Sequence, residues 1–197
     1  FADAVSHVYA FDEIVCSGDS ERFIHVPTTP DVAPPALGGS TLADLGVGVC
    51  TGPVVDFRLR EHLRAAQEPG TVPLLYSSHF SGQRAVWPRP DGRKPSHILR
   101  NPTTEGWLMP TGFYCVVRRF SSKEERRRIV ASVVMPEVFG SAPVLGFENH
   151  LNVFHEEKRG LPEALAYGIA VFLNSTAVDV AFRRFSGHTQ VNATDLR

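Results

Sequence analysis

The sequence predicts a mixed α+β fold in which a twisted, mostly antiparallel sheet is closed by a pair of helices. Short extended segments, separated by Pro, Gly and polar residues, recur through the first three quarters of the chain. Apolar residues at helical spacing then fill most of residues 161–185. The 197 residues suffice for one hydrophobic core. No apolar run approaches the ~20 residues that a membrane span requires, so we expect no membrane partner.

The strand candidates come first along the chain. They are residues 8–11, 13–16, 22–26, 72–76, 84–88, 112–120, 129–135 and 144–154. We expect segments 112–120 and 129–135 to pair, because only a short polar stretch separates them. Residues 57–66 are predicted as a short helix, and residues 88–104, rich in Pro, Gly and Arg, as a long polar loop. Clustered prolines after residue 26 predict a linker that ends near Ala36.

The helix pair follows from apolar spacing and capping residues. The first helix is expected to bury Leu161, Leu165, Ile169, Phe172 and Leu173. Pro162 suits its first turn, where a missing N–H costs nothing. Ser175 is a favourable N-cap for the second helix, which is expected to carry Val178, Phe182 and Phe185 inward. Arg183 and Arg184 lie near its C-terminal end, where cations complement the helix dipole.

A polar loop, residues 187–192, follows the second helix. Gly187 suits the position just after a helix end. The side chains of Thr189, Gln190 and Asn192 could satisfy local backbone groups, which would make the loop a self-capping turn. The same side chains, with His188, could instead contact phosphates and base edges, since Gln and Asn can bond adenine bidentately. The residues alone leave both interpretations open.

Charge is distributed unevenly along the chain. The net charge of −1 argues against a strongly basic nucleic-acid binder. However, residues 1–57 carry a net −7, residues 58–128 a net +8 and residues 129–197 a net −2. Of the 20 basic residues 17 are Arg, whose forked guanidinium suits phosphate and guanine. The segregation indicates a basic surface formed by the middle third.

The C-terminal segment resembles the closing segment of DNA target-recognition domains. The matching residues are Leu173-Asn174-Ser175, residues 187–192 and Asp195-Leu196. Such domains occur in specificity subunits of type I restriction–modification enzymes, in TaqI-like adenine-specific DNA methyltransferases and in fused restriction–modification enzymes. Residues 41–53 resemble the opening of the same domains. The resemblance covers residues 37–197.

This resemblance implies sequence-specific recognition of double-stranded DNA. Residues 37–197 would be the recognition domain, and residues 1–36 the tail or linker from an upstream methyltransferase domain in the same polypeptide. That domain would bind S-adenosylmethionine, whereas this fragment would hold no cofactor, no metal and no catalytic residue. Expected phosphate contacts are Arg58, Arg84, Arg118, Arg119 and Lys123. Base reading is expected in the loop that contains His188, Thr189, Gln190 and Asn192 and near Thr51, His79 and Asn149. Gly187 is expected to bind DNA as well.

Two other functions remain open at the level of sequence. Pro90-Asp91 and Glu156-Glu157-Lys158 are similar to the carboxylate and lysine pattern of Mg²⁺-dependent nucleases. A protein-interaction module without DNA specificity would also suit an Arg-rich middle third. The string Asn101-Pro102-Thr103-Thr104 lacks the second proline and the aromatic residue of an adenine methyltransferase motif. Cys16, Cys50 and Cys115 show no metal-binding spacing, and we expect them to be reduced thiols in a cytoplasmic protein.

Overall fold

The computed structural model describes residues 6, 8–15, 24, 40–89, 92–186 and 189–197. The helices are α1 (Phe11–Ile14), α2 (Glu163–Leu173) and α3 (Thr176–Phe185). The strands are β1 (Gly48–Thr51), β2 (Leu63–Arg64), β3 (Thr71–Leu75), β4 (Phe80–Ser81), β5 (Arg84–Ala85), β6 (His97–Leu99), β7 (Leu108–Pro110), β8 (Tyr114–Arg118), β9 (Ala131–Val134), β10 (Val144–Phe147) and β11 (Leu151–His155). The predicted α+β class with a closing helix pair is confirmed, although the strands form two sheets rather than one.

The larger sheet has six strands in the order β1-β11-β8-β9-β5-β4. All its pairings are antiparallel except the one between β5 and β9. The predicted pairing of segments 112–120 and 129–135 is confirmed as β8 with β9, in which Tyr114 lies opposite Val134 and Val117 opposite Ala131.

The smaller sheet has five strands in the order β2-β6-β3-β10-β7. Strands β3 and β10 are parallel, and the other pairs are antiparallel.

The single extended segment predicted at 144–154 is wrong, since a turn at residues 148–150 sends β10 and β11 into different sheets. Two further predictions fail because strand pairing overrides local pattern. Residues 57–66 form two short 3-10 turns and β2, and the predicted loop 88–104 contains β6, which pairs with β2 and β3.

The core has layers on both faces of the larger sheet. Alternate residues of β8 point to opposite faces, as in any pleated strand. Tyr114 and Val116 pack toward the smaller sheet, while Cys115 and Val117 pack toward α2 and α3. The outer face of the smaller sheet buries Leu74 and Ile98 beneath the 3-10 turns that follow β1.

The helix pair matches its predicted bounds closely. Ser175 caps α3, because its Oγ accepts the backbone N–H of Val178 at 3.3 Å. The core prediction for Phe172 is wrong, since this side chain is 49% exposed. Ala166 and Ala170 face the sheet instead, and their small side chains let α2 approach it closely. Within the described residues no single helix could cross a membrane; only α2 and α3 together, across a 60° bend, have the length and composition.

At the N-terminus the structure describes only some of the residues for which strands and a domain boundary are predicted. The predicted strands at 8–11 and 13–16 are replaced, over the described part, by the short helix α1, whose end is closed by a bond from Val15 N–H to the carbonyl of Phe11. The predicted strand at 22–26, apart from Ile24, and the boundary near Ala36 lie outside the described residues.

A candidate nucleic-acid interface at one end of the sheets

Loops that are distant in sequence meet at one end of the two sheets. Thr51, at the end of β1, lies opposite Asn152, and Arg118, at the end of β8, lies opposite Leu151. In the smaller sheet β3 and β10 are parallel and end together, with Leu75 beside Phe147. We call the loops at this end the strand-end surface. It comprises residues 51–58, 76–79, 118–123, 148–150 and 189–192.

Arg119 lies at the centre of the strand-end surface. Its backbone N–H donates to the carbonyl of His150 at 2.9 Å, and its carbonyl accepts from Val191 N–H at 2.7 Å. Its guanidinium donates to the carbonyl of Asn149 and to Gln190 Oε1, both at 3.4 Å. Arg119 therefore contacts two other residues predicted to bind DNA, Asn149 at its backbone carbonyl and Gln190 at its side chain. Both side-chain bonds are long and consequently weak, so the Arg119 guanidinium and the Gln190 side-chain amide are held together only weakly.

A fully buried carboxylate holds the turn at 148–150, whose His150 carbonyl accepts Arg119 N–H. Glu148 Oε2 accepts the backbone N–H of His150 at 3.0 Å. His150 Nδ1 lies 3.0 Å from Glu148 Oε1, an ion-pair contact whose angles are not those of a hydrogen bond. Burial raises the pKa of Glu148, against the opposing effect of the His150 backbone bond and ring. The His150 ring in turn meets the ring of Phe120 edge to face, with centroids 5.0 Å apart.

A second charged pair lies on the side of the smaller sheet. Lys94 Nζ is 2.8 Å from Asp56 Oδ2 and lies 5.2 Å from the centre of the Tyr76 ring. Burial acts to raise the pKa of Asp56, but the hydrogen bond and charge of Lys94 outweigh it and hold that pKa below its ordinary value. The Tyr76 hydroxyl is buried and has no hydrogen-bond partner among the described residues. The sequence alone indicates no role for this pair.

His79 does not suit the base-reading role expected of it. The side chain is 2% exposed, and its Nδ1 accepts the backbone N–H of Tyr76 at 3.1 Å. Burial and the nearby Arg89 lower its pKa to about 4, so the ring is neutral. The His79 ring is buried and closes the turn that follows β3.

The polar loop after α3 is only partly explained as a self-capping turn. Asn192 fits that interpretation, because Asp195 Oδ2 accepts its backbone N–H at 2.8 Å and its side-chain amide at 3.3 Å. Thr189 exposes its side chain and uses its carbonyl to accept Ser121 N–H. Gln190 faces Arg119. Gly187 and His188 lie outside the described residues.

The remaining predicted contacts are dispersed. Thr51 Oγ1 donates to Asn152 Oδ1 at 3.4 Å, at the edge of the strand-end surface. Arg58 is exposed, with its guanidinium carbon 5.6 Å from the centre of the Phe57 ring. Arg118 pairs with Glu125 at 2.9 Å. Arg84 lies in β5, two strands from β8, so it is separated from Arg119.

Lys123 and Arg84 are both exposed. Neither side chain has an ion-pair partner in the part of the chain that the structure describes. They are free to meet phosphates without first breaking an internal contact.

Sequence analysis missed three residues of this surface, namely Phe120, Glu148 and His150. Phe120 ends the strand predicted at 112–120, yet its side chain is 46% exposed. The sequence signal that could have identified Phe120 is its position as a large apolar residue directly between Arg119 and a run of polar residues.

Only part of the predicted nuclease pattern, residues 156–158, lies within the described residues, and it forms a turn. Glu156 and Arg159 bond each other's backbone in a tight turn after β11, which is the opposite end of that strand from His150. Pro90 and Asp91 lie outside the described residues. Across the described ranges, no group of three His, Cys, Asp or Glu side chains is placed to hold a metal ion.

Two curated relatives match nearly the whole chain. It is 50% identical over 201 residues to the Type II methyltransferase M.BsuBI of Bacillus subtilis, which covers 98% of this chain. It is 44% identical over 191 residues to the Type II methyltransferase M.PstI of Providencia stuartii, which covers 95% of it. The chain spans only 38% of the length of either relative. No protein-family model and no solved structure matches it. The homologues of this chain are thus Type II methyltransferases, of which it corresponds to a part.

Proposed function

We propose that this chain is the DNA target-recognition part of an adenine-specific Type II DNA methyltransferase. The observation that carries the proposal is the contact of Arg119 with the Gln190 side chain and with the backbone of Asn149 on the strand-end surface. These are side-chain types suited to reading base edges. Residues 37–197 would form the recognition domain, and residues 1–36 would join it to a methyltransferase domain in the same cytoplasmic polypeptide.

The proposed contacts are of two kinds. Arg58 and Lys123 on the strand-end surface, and Arg84 outside it, are exposed and would meet phosphates, which fix register without carrying sequence information. Arg119, Asn149 and Gln190 would read base edges, together with the neighbouring loop side chains of Thr51, His188 and Thr189. One bidentate pair is worth about 1–3 kcal/mol of discrimination against a wrong base. The long internal bonds of Arg119 are weak enough to be exchanged for such contacts.

The chemistry of methyl transfer would belong to the adjoining domain. Asn101, the nearest residue to an adenine methyltransferase motif, is occupied in a turn: its Oδ1 accepts the backbone N–H groups of Thr103 and Thr104 at 3.0 and 3.2 Å. The S-adenosylmethionine site and the catalytic residues would therefore come from the upstream domain. This chain would contribute position and sequence choice.

Selection of a binding site from a randomised duplex pool tests the proposal. The chain is incubated with the pool at two salt concentrations over several rounds. Enrichment of one short motif, with affinity that falls as salt rises, is the expected result, because phosphate contacts release counterions. Salt-sensitive binding without enrichment would reduce the surface to a backbone contact. No binding at low salt, by this chain or by a full-length parent, would favour a protein-interaction module.

A further inference from the structure

We propose that Phe120 is a base-contacting residue that stacks on a base unstacked from the duplex, and that Glu148 and His150 hold its ring in position. The inference rests on the proposed function, which it deepens by naming a mode of contact. It assigns the centre of the strand-end surface to the face of a base, in addition to the base edges that Arg119 and Gln190 would read.

The first observation is where Phe120 lies. A single exposed apolar residue is ordinary on a protein surface. Phe120 differs because it follows Arg119 directly and its backbone bridges to Gln190. The ring thus belongs to a backbone segment whose nearest polar side chains, the Arg119 guanidinium and the Gln190 carboxamide, both suit nucleic acid.

The second observation is how firmly the backbone around Phe120 is held. Arg119 N–H bonds the carbonyl of His150 and Arg119 carbonyl accepts from Val191, while Ser121 N–H bonds the carbonyl of Thr189. Both neighbours of Phe120 are therefore fixed to other loops. An aromatic side chain has only two rotatable bonds, so a fixed backbone leaves it little freedom to lose on binding.

The third observation is the support beneath the ring. The His150 ring contacts Phe120 edge to face, and both oxygens of Glu148 are directed at His150, one to its backbone and one to its ring. Glu148 is fully buried, and a buried carboxylate is unfavourable unless its partners compensate. A buried carboxylate directed at the residue that supports an exposed ring is consistent with a positioning role for Glu148.

The chemistry of such a contact is known in outline. Every base has a π-face, and stacking on an aromatic side chain favours binding by roughly 10- to 100-fold per base. A ring can also enter a base step that has been partly unstacked. Phe120 offers the ring, and the adjacent Arg119 offers a cation for the phosphate or base edge nearby.

The test compares Phe120→Ala with Phe120→Trp and with Phe172→Ala. Phe172 is 49% exposed, close to the 46% of Phe120, but it lies on α2 and not on the strand-end surface, so it is a matched control. Each protein is titrated with the duplex enriched from the pool, carrying 2-aminopurine in turn at each position of the motif. This fluorescent base brightens when it loses its stacked neighbours.

We expect the wild type to brighten 2-aminopurine at one position and Phe120→Ala to abolish that signal, with affinity reduced roughly 10- to 100-fold. Phe120→Trp should restore both, and Phe172→Ala should change neither. His150→Ala should weaken the signal while leaving the dependence of affinity on salt unchanged, which separates positioning from phosphate binding.

The result that overturns the inference is Phe120→Ala binding the enriched duplex as tightly as Phe172→Ala, or brightening that persists without the ring. In either case a motif is still enriched, so the proposed recognition function survives. If the wild type enriches no motif, the recognition function fails and the stacking role fails with it. The two failures are therefore distinguishable.

Discussion

The side chain of Asn174 bonds both backbone groups of Ala131. Its Oδ1 accepts Ala131 N–H at 3.1 Å, and its Nδ2 donates to Ala131 carbonyl at 2.9 Å and to Ala170 carbonyl at 2.8 Å. Asn174 sits between α2 and α3, whereas Ala131 begins β9. The Asn174 side-chain amide thus holds the junction between α2 and α3 against the larger sheet. It bonds the backbone of Ala131 as a neighbouring strand would.

Asn174→Asp should destabilise the fold by about 1–3 kcal/mol. The variant keeps the acceptor for Ala131 N–H but loses the donor, which removes the bond to the Ala131 carbonyl and adds a charge, while the Ala170 carbonyl keeps the backbone N–H of residue 174. Chemical denaturation measures the loss, and Asn174→Ala should be similarly costly because it removes all three bonds. A change below ~0.5 kcal/mol in both variants would show that the bonds are not needed.

Gly52→Ala should be strongly destabilising, by about 3 kcal/mol. A Cβ at this position would lie 2.3 Å from the carbonyl oxygen of Glu148 and 2.7 Å from that of Phe147, and both obstacles are backbone atoms. Gly106→Ala is the control, because a Cβ there meets nothing within 4 Å. Thermal unfolding should separate the two variants, and equal midpoints would contradict the close approach of β1 and the turn at 148–150.

The stability of the fold should depend on the neutral form of His79. Its folded pKa of about 4 lies below the ordinary 6.5, so the folded chain binds fewer protons than the unfolded chain between these values. The contribution is complete above pH 6.5 and is lost as pH falls toward about 4, by at most about 1.4 kcal/mol per pH unit.

His79→Asn isolates this effect. Asn can supply an acceptor for the Tyr76 N–H but does not titrate, so the wild-type advantage should shrink as pH falls from 6.5 to 4. Comparison with the variant is needed because burial also lowers the pKa of His97, while the raised pKa of Glu148 acts in the opposite direction. Parallel stability profiles for the two proteins would show that His79 is not responsible.

Arg119→Met should reduce discrimination between the enriched duplex and one with a single wrong base pair by about 1–3 kcal/mol. Met keeps much of the apolar stem and removes the guanidinium. Arg159→Met is the control, since Arg159 is exposed in the turn at the opposite end of β11. If Arg119→Met instead weakened binding equally on all duplexes, Arg119 would be a phosphate contact and not a base reader.

The elements defined by local signals could be predicted from the sequence, and the assignment of residues to sheets could not. Ser175 indicates the start of α3, and the short connection between β8 and β9 indicates that these strands pair. The turn at 148–150 carries no Gly or Pro, so nothing local indicated that one apolar run supplies strands to two sheets. Phe172 fits the helical spacing, yet Ala166 and Ala170 take the inward positions because the sheet lies close.

At the candidate site, too, some features could be predicted from the sequence and others could not. Residue type predicts Arg119, Asn149 and Gln190, and in the structure Arg119 contacts the backbone of Asn149 and the side chain of Gln190. His79 was chosen on the same ground but is buried, because the turn after β3 folds its ring inward to accept a backbone N–H. Residue type suggests what a side chain can bind, whereas exposure is decided by packing that the sequence pattern does not display.

Because the strand-end surface is assembled from loops that are each anchored by their own strands, it can change one loop at a time. The loop after β1 and the loop after α3 are separated by more than 130 residues of chain, yet both end on the same framework. Lengthening a surface loop is inexpensive, since each doubling costs only about 0.6 kcal/mol of closure entropy. Successive small substitutions or insertions can therefore remodel what this end of the molecule binds while the two sheets and the helix pair persist unchanged.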